Sequence, residues 1–347
     1  MKKKAIYILD ENAFDKIYGC DERSRISDLV DICADPLTAG MAREKPDLLS
    51  DCEIIISGWG GPCIDKCFLQ KAPRLEAVFY GAGSIRGIVT PDFWDFGIII
   101  TSSWAANAIP VAEYTFAQII LCLKNAFALN KIYCNDFIPS EGSFKQSFQR
   151  HTGYFEEGKM LHGAYGTTVG IISLGMIGRM VCERLSSLDV RIVAYDPYAD
   201  RDYAKSKGIE LLSLEDLFKF CHVISLHAPW LPATEKMINK EHFQSMMPGA
   251  AFINTARGAI VDEAAMIEVL LERQDLTAVL DVTHPEPPGA GSKLYSLENV
   301  FLTPHIAGSV DDECRRMGKY TVDELERYIN GEKLKYRITK DQFQNMA

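Results

Sequence analysis

The sequence is short of positive charge. Its 37 lysines and arginines face 47 aspartates and glutamates, a net charge of −10 at pH 7. No block of basic residues offsets that balance, which argues against nucleic acid and anionic membrane as partners. A small anionic substrate is not excluded, because one local arginine can outweigh a diffuse field. Metal-ligand spacing is missing as well. Cys63 and Cys67 are close, but no second cysteine/histidine pair accompanies them, so no metal site is expected. No apolar run reads as long enough to span a bilayer. Met1-Lys2-Lys3-Lys4 leads straight into Ala5-Ile6-Tyr7-Ile8-Leu9, too short for a secretory apolar region with its cleavage site. The ten cysteines are scattered through apolar runs, as at Cys122, Cys182 and Cys221, and therefore read as reduced thiols of a cytoplasmic protein.

What is present is a large globular chain. Its 347 residues exceed what one hydrophobic core usually serves, so two domains are expected. Short buried-type strands alternate with helical patterns in two sets, which predicts parallel sheets covered by helices on both faces. The first set is Lys4–Leu9, Glu53–Ser57, Glu76–Gly81 and Gly97–Ser102. The second is Thr167–Ser173, Arg191–Asp196, His222–His227, Ala250–Thr255, Thr277–Val282 and Asn299–Pro304. Asn107–Leu129 reads as a helix joining the two, with Asn107 as N-cap and Pro110 in the first turn. A second helix is expected after Ser309, where Ser309-x-x-Asp312 resembles a capping box. It would return the chain to the first domain. The predicted division is therefore 1–106 with 308–347 for one domain and 107–307 for the other, with a cleft and a hinge between them. Tyr133–Tyr165 has no clear strand period and could be a projecting arm or a dimer contact.

The second set opens with Val169–Arg179, reading V-G-I-I-S-L-G-M-I-G-R. An apolar β-branched run meets a glycine-punctuated turn that starts a helix. This is the pattern of a dinucleotide site, where pyrophosphate rests on backbone N–H groups at a helix N-terminus. Asp196 ends the next apolar run about 20 residues on, where an acid binds the ribose hydroxyls of NAD. The turn carries Ser173 where the pattern has its first glycine, so serine there is strained or the turn altered. Asp196 predicts NAD rather than NADP, since a carboxylate repels a 2′-phosphate.

Three later runs end in polar side chains. Ala250–Ala256 ends in Arg257-Gly258, Thr277–Val282 is followed by Thr283-His284-Pro285-Glu286-Pro287, and Asn299–Pro304 ends in His305. Ligands of open α/β sheets bind beyond the carboxyl ends of strands, so these side chains can meet. Arg257 offers a planar fork for a carboxylate or carbonyl. His305 is the natural acid/base near neutral pH. Glu286 would orient His305 and favour its protonated form.

These motifs in this order resemble the D-isomer-specific 2-hydroxyacid dehydrogenase family over nearly the whole length. The motifs are Ser173-x-Gly175-x-x-Gly178 with Asp196-Pro197, Leu226-His227-Ala228-Pro229, Asn254-Thr255-Ala256-Arg257-Gly258, Leu280-Asp281-Val282 with Glu286-Pro287, and Thr303-Pro304-His305-Ile306-Ala307-Gly308. The resemblance implies two doubly wound parallel-sheet domains, a Rossmann-type NAD domain and a flavodoxin-like substrate domain. It implies an NAD-dependent reduction of a 2-keto acid or its reverse, and a homodimer. Catalytic roles would fall on Arg257, Glu286 and His305. Cofactor contacts would fall on Ser173, Gly175, Met176, Ile177, Gly178, Asp196, Ala228, Thr255, Asp281 (beside the nicotinamide carboxamide) and Gly308. Substrate contacts would come from Arg257, from Ala82 and Gly83 in the Gly81-Ala82-Gly83 turn, and from Asn107.

The chain also departs from the family. Met176 stands where many relatives place an arginine against the pyrophosphate, which implies a backbone-only contact. Ser57-Gly58-Trp59-Gly60-Gly61 lacks the arginine of phosphoglycerate-using relatives, and Trp59 could cover an apolar side chain or pack under its loop. Arg86 could rebuild an anion site or be an ordinary surface arginine. Trp230 is bulkier than the usual residue, and the sequence offers no account of it. Formate dehydrogenases share the architecture but carry glutamine where this chain has Glu286. A cofactor-sensing corepressor-type binding protein, or a catalytically weak relative, stands as the alternative reading.

Overall fold

The structure is a computed structural model that describes residues 2–130 and 163–345; most of the Tyr133–Tyr165 stretch lies outside the described residues. The chain divides into two units, Met1–Pro110 with Gly308–Ala347, and Val111–Ala307.

The first unit holds β1 (Lys4–Ile8), β2 (Asp31–Ile32), β3 (Ile54–Ser57), β4 (Ala77–Tyr80), β5 (Ile99–Ser102) and β13 (Arg337–Ile338). Their order is β13-β5-β4-β3-β1-β2. All pairs are parallel except β13 with β5. The parallel part therefore has the 2-1-3-4-5 order of flavodoxin-like sheets. The second unit holds β6 (Thr168–Ile172), β7 (Arg191–Tyr195), β8 (Glu210–Leu211), β9 (Val223–Leu226), β10 (Ala251–Asn254), β11 (Thr277–Leu280) and β12 (Val300–Leu302). They form one parallel sheet in the order β12-β11-β10-β9-β6-β7-β8, the dinucleotide-binding order with one strand added. Every long strand predicted from sequence is present. The two-residue strands β2 and β8, and β13, were not foreseen.

Each sheet is buried on both faces, as parallel sheets require. Ile6 and Ile8 enter one apolar cluster while Ala5 and Tyr7 enter another. Phe252 and its neighbours Ala251 and Ile253 divide in the same way in the second unit. This alternation explains the continuous apolar runs in the sequence: neither face of a central strand such as β3, β4, β9 or β10 meets water.

Two helix expectations need correction. The joining helix runs from Trp104 to Leu123, so Asn107 is not its cap and Pro110 lies inside it. The start is set by the preceding serines. Ser102 Oγ accepts from Trp104 N at 3.2 Å, and Ser103 O accepts from Asn107 N at 3.1 Å. The helix stops before Asn125, whose φ of +49° is left-handed, a conformation asparagine tolerates better than most side chains. This 20-residue helix is also long and apolar enough, by length and composition, to cross a membrane, contrary to the expectation that no apolar run is; half of its most apolar window is buried within the protein. The second helix, Cys314–Ile329, is not opened by Ser309. Instead, Glu313 Oε2 accepts from Val310 N at 3.0 Å, and a short 3₁₀ turn precedes the helix.

Beyond β9, His227 is buried, its Nε2 lies 2.9 Å from Ser225 Oγ, and its Nδ1 has no partner among the described residues. Burial pushes its pKa down to about 3 from an ordinary 6.5. The folded protein thus holds the neutral ring, while the unfolded chain takes up a proton below pH 6.5. Stability should be complete above that pH and fall by up to about 1.4 kcal/mol per pH unit below it. In urea unfolding at pH 7 and pH 5, the unaltered chain should lose about 1–2 kcal/mol more than the His227→Gln variant. Equal losses in the two chains would contradict this.

Candidate active site

The site is built from strand ends of the second unit. β6 and β9 are neighbours at the point where strand order reverses, the position at which doubly wound sheets bind ligands. Ser173 leaves β6 with φ +77°. This left-handed conformation costs a non-glycine residue about 1–2 kcal/mol, so the strain expected from sequence is present. The turn is held by Ser173 N donating to Tyr195 O at 2.7 Å and Leu174 N donating to Asp196 Oδ2 at 2.8 Å. Gly178 is required by close approach: a Cβ there would stand 2.1 Å from Ser173 O. At Gly175 a Cβ would meet nothing nearer than 3.9 Å. Among the described residues, no side chain caps the Met176–Leu185 helix that begins there.

A dinucleotide fits these residues. The uncapped helix start can take pyrophosphate oxygens on the N–H groups of Met176, Ile177 and Gly178. Asp196 directly follows β7, and its carboxylate oxygens accept from Leu174 N at 2.8 Å and from Tyr198 N at 2.8 Å. Arg179 does not replace the arginine missing at Met176. Its Nε donates to Leu174 O at 2.9 Å, and its guanidinium carbon lies 4.0 Å from the Tyr203 ring centroid.

Strands β10, β11 and β12 are consecutive and parallel, so Arg257, Glu286 and His305 all follow the carboxyl ends of neighbouring strands. The Asn254 side chain shapes the first loop, accepting from Ala256 N at 3.0 Å and donating to Arg257 O at 3.1 Å. Arg257 donates from Nη1 to Ala256 O at 2.6 Å. Gly258 packs against the second loop so closely that a Cβ would lie 2.0 Å from the Thr283 carbonyl carbon. The arginine loop and the glutamate loop are thus in backbone contact. His305 Nδ1 lies 2.6 Å from Glu286 Oε1, the orienting pair expected from sequence. A cleft of about 890 Å³ lies against this pair, lined by Asp281, Thr283, Pro288, Tyr295 and Leu302 among others.

The remaining expected residues fall in two groups. In the second unit, Ala228 is buried just beyond β9, and Thr255 Oγ1 lies 3.0 Å from Thr115 Oγ1. Asp281 is 1% exposed, and both of its oxygens accept from the protein itself. In the first unit, Ser102 Oγ donates to Ala82 O at 2.8 Å. Asn107 stands beside Gly83, and its Oδ1 accepts from Ser309 N at 2.9 Å. Gly308, expected among the cofactor contacts, packs against Asn107 in this unit, where a Cβ would meet Oδ1 at 3.2 Å. Arg86 lies over the Phe343 ring and donates to Phe343 O at 3.2 Å. The Trp230 ring meets the His284 ring edge-on at 5.5 Å, which gives the bulky residue a packing role. Trp59 is 36% exposed, and its carbonyl accepts from Asp10 N at 2.9 Å. Tyr114 and Thr115 were not singled out from sequence, and Asn254 stood there only within a motif, with no role of its own. Asn254 carried a usable signal, a polar residue ending a buried strand; the two helix hydroxyls carried none.

Comparison with known proteins settles the family. Residues 142–307 match the model of the D-isomer specific 2-hydroxyacid dehydrogenase NAD-binding domain. A glyoxylate reductase of Korarchaeum cryptofilum is 30% identical over 286 residues, 82% of each chain. The chain belongs to the D-isomer-specific 2-hydroxyacid dehydrogenase family. A D-3-phosphoglycerate dehydrogenase of Methanocaldococcus jannaschii is 28% identical over 85% of this chain but only 53% of its own length. The chain spans about half the length of the phosphoglycerate dehydrogenases it matches first. The holo D-mandelate dehydrogenase of Rhodotorula graminis shares the fold, with a TM-score of 0.80 at 23% identity over 98% of this chain and 99% of that one.

Relieving the strain at Ser173 should stabilise this family member. Ser173→Gly should raise the unfolding temperature by about 2–4 °C, the effect of about 1 kcal/mol on a unit of this size. A lowered unfolding temperature would show that Ser173 contributes more through its contacts than its backbone costs.

Proposed function

We propose that the chain is an NAD-dependent oxidoreductase that reduces a 2-keto acid to the D-2-hydroxy acid, or runs the reverse. The observation that carries this reading is the 2.6 Å pair between His305 Nδ1 and Glu286 Oε1, one strand away from the Arg257 loop. NADH, when bound, supplies a hydride, and NAD⁺ accepts one in the reverse direction. The rest falls to the chain's own residues. The Arg257 fork holds the substrate carboxylate and draws density from the carbonyl oxygen. Glu286 engages Nδ1 and so keeps the proton to be transferred on Nε2. The Nε2 proton of His305 would neutralise the negative charge that develops on the carbonyl oxygen when C2 is reduced. The imidazole is left neutral and is reprotonated from solvent, to which it is half open. In the reverse direction neutral Nε2 takes the hydroxyl proton.

Ala82, Gly83 and Asn107 are the substrate contacts from the first unit in this reading. Asp196 favours NAD over NADP. The glyoxylate reductase and the phosphoglycerate dehydrogenases among the relatives support a 2-hydroxy acid class and leave its side chain open. A cytoplasmic homodimer is part of the same proposal.

The test is NADH consumption across a panel of 2-keto acids: glyoxylate, hydroxypyruvate, pyruvate, branched, aromatic and phosphorylated ones. At least one should be reduced, with NADH preferred to NADPH. His305→Ala should lower kcat on it by about 10²–10⁴-fold, the usual reach of general acid–base catalysis. Near-normal turnover by that variant would remove His305 from the role, and equal use of both cofactors would remove Asp196 from its own.

A further inference from the structure

We propose that Tyr114, on the Trp104–Leu123 helix, is a positioning residue for His305, acting through a hydroxyl chain that ends on the Asp281 carboxylate. The proposal rests on the reading of His305 given above, but it stands on geometry of its own.

Tyr114 OH lies 3.0 Å from Thr303 Oγ1, and Thr303 Oγ1 lies 2.6 Å from Asp281 Oδ1. The direction of the chain follows from the groups. A carboxylate only accepts, so the single Thr303 hydroxyl proton goes to Asp281. Thr303 Oγ1 is then an acceptor toward Tyr114, whose phenol donates. Asp281 Oδ1 also accepts from Ile306 N at 2.8 Å, and Oδ2 accepts from Ala307 N at 2.9 Å. One buried carboxylate therefore ties down the residues on both sides of His305, while His305 N donates to the Asp281 backbone carbonyl at 3.0 Å.

The loop needs such restraint. His305 has φ +54°, a left-handed conformation that a histidine holds only where its surroundings impose it. The surface offers little help, since Pro304, His305 and Ile306 are all exposed. Hydrogen bonds to an ionised acceptor are the strong kind, and the Tyr114 donor fixes the Thr303 hydroxyl in the rotamer that serves Asp281. Tyr114 is itself half-buried, and burial raises its pKa, so it stays a donor through the neutral range. One residue along the same helix, Thr115 makes a matching hydroxyl contact to Thr255, two residues before Arg257. Consecutive residues of one helix thus reach the loops of both the acid/base and the arginine.

The experiment compares Tyr114→Phe, Thr303→Val and Thr303→Ser with the unaltered chain by amide hydrogen exchange and steady-state kinetics. Tyr114→Phe deletes only the hydroxyl; Thr303→Val breaks the chain at its middle; Thr303→Ser keeps it. Ile306 and Ala307 amides should exchange about tenfold faster in the first two variants and as in the unaltered chain in the third. With a 2-keto acid that the unaltered chain reduces, kcat should fall about tenfold in Tyr114→Phe while KM for NADH stays within twofold. Unchanged exchange at Ile306 and Ala307 in Tyr114→Phe would overturn the proposal, as would faster exchange with kcat intact. Faster exchange in a chain whose unaltered form reduces no 2-keto acid would bear out the tie while overturning the reaction assigned to His305.

Discussion

One buried carboxylate holds the working end of the second unit together. Asp281 sits at the end of the central strand of three and accepts from the Thr303 hydroxyl and the amides of Ile306 and Ala307. Leaving such a group unpaired in the interior would be expensive, and satisfying it requires the neighbouring loop to fold back over β11. That fold places His305, in a strained conformation, where Glu286 can reach its Nδ1. The sequence order Asp281, Glu286, Thr303, His305 thus becomes a single hydrogen-bonded assembly. The strand register that sets Leu280 beside Leu302 brings its two halves together.

The cofactor end is a compromise between strain and approach. Ser173 takes a left-handed turn without glycine's freedom, and Met176 gives no charge to the helix start. Two residues hold the turn's geometry: Gly178, pressed against Ser173 O, and Asp196, which accepts from Leu174 N and Tyr198 N. Asp196 therefore pins the turn through its own hydrogen bonds. These bonds explain how the turn keeps its shape with a serine at its tightest point.

The long strands were legible because parallel sheets bury both faces, leaving unbroken apolar runs such as Ile54–Ile56 and Ala251–Ile253. The strand-end chemistry was legible for the same reason: a charged residue directly after such a run stands out. The two-residue strands were not, because so short a segment carries no period. The joining helix was started too late because Ser102 and Ser103, which begin it, read as the end of a strand. Ser309 looked like a cap, but its amide is taken by Asn107 Oδ1, and Glu313 serves Val310 instead. The Tyr114–Thr303 contact spans 189 residues, and no local pattern announces a partner at that distance.

If His305 delivers the proton while a nicotinamide delivers the hydride, both must arrive on one carbonyl group. Reduction with NADH deuterated at the transferring position of C4 tests this most directly. Deuterium should appear at C2 of a product with the D configuration, and none on oxygen-bound or solvent-exchangeable positions. Product without deuterium at C2, or of the opposite configuration, would contradict it.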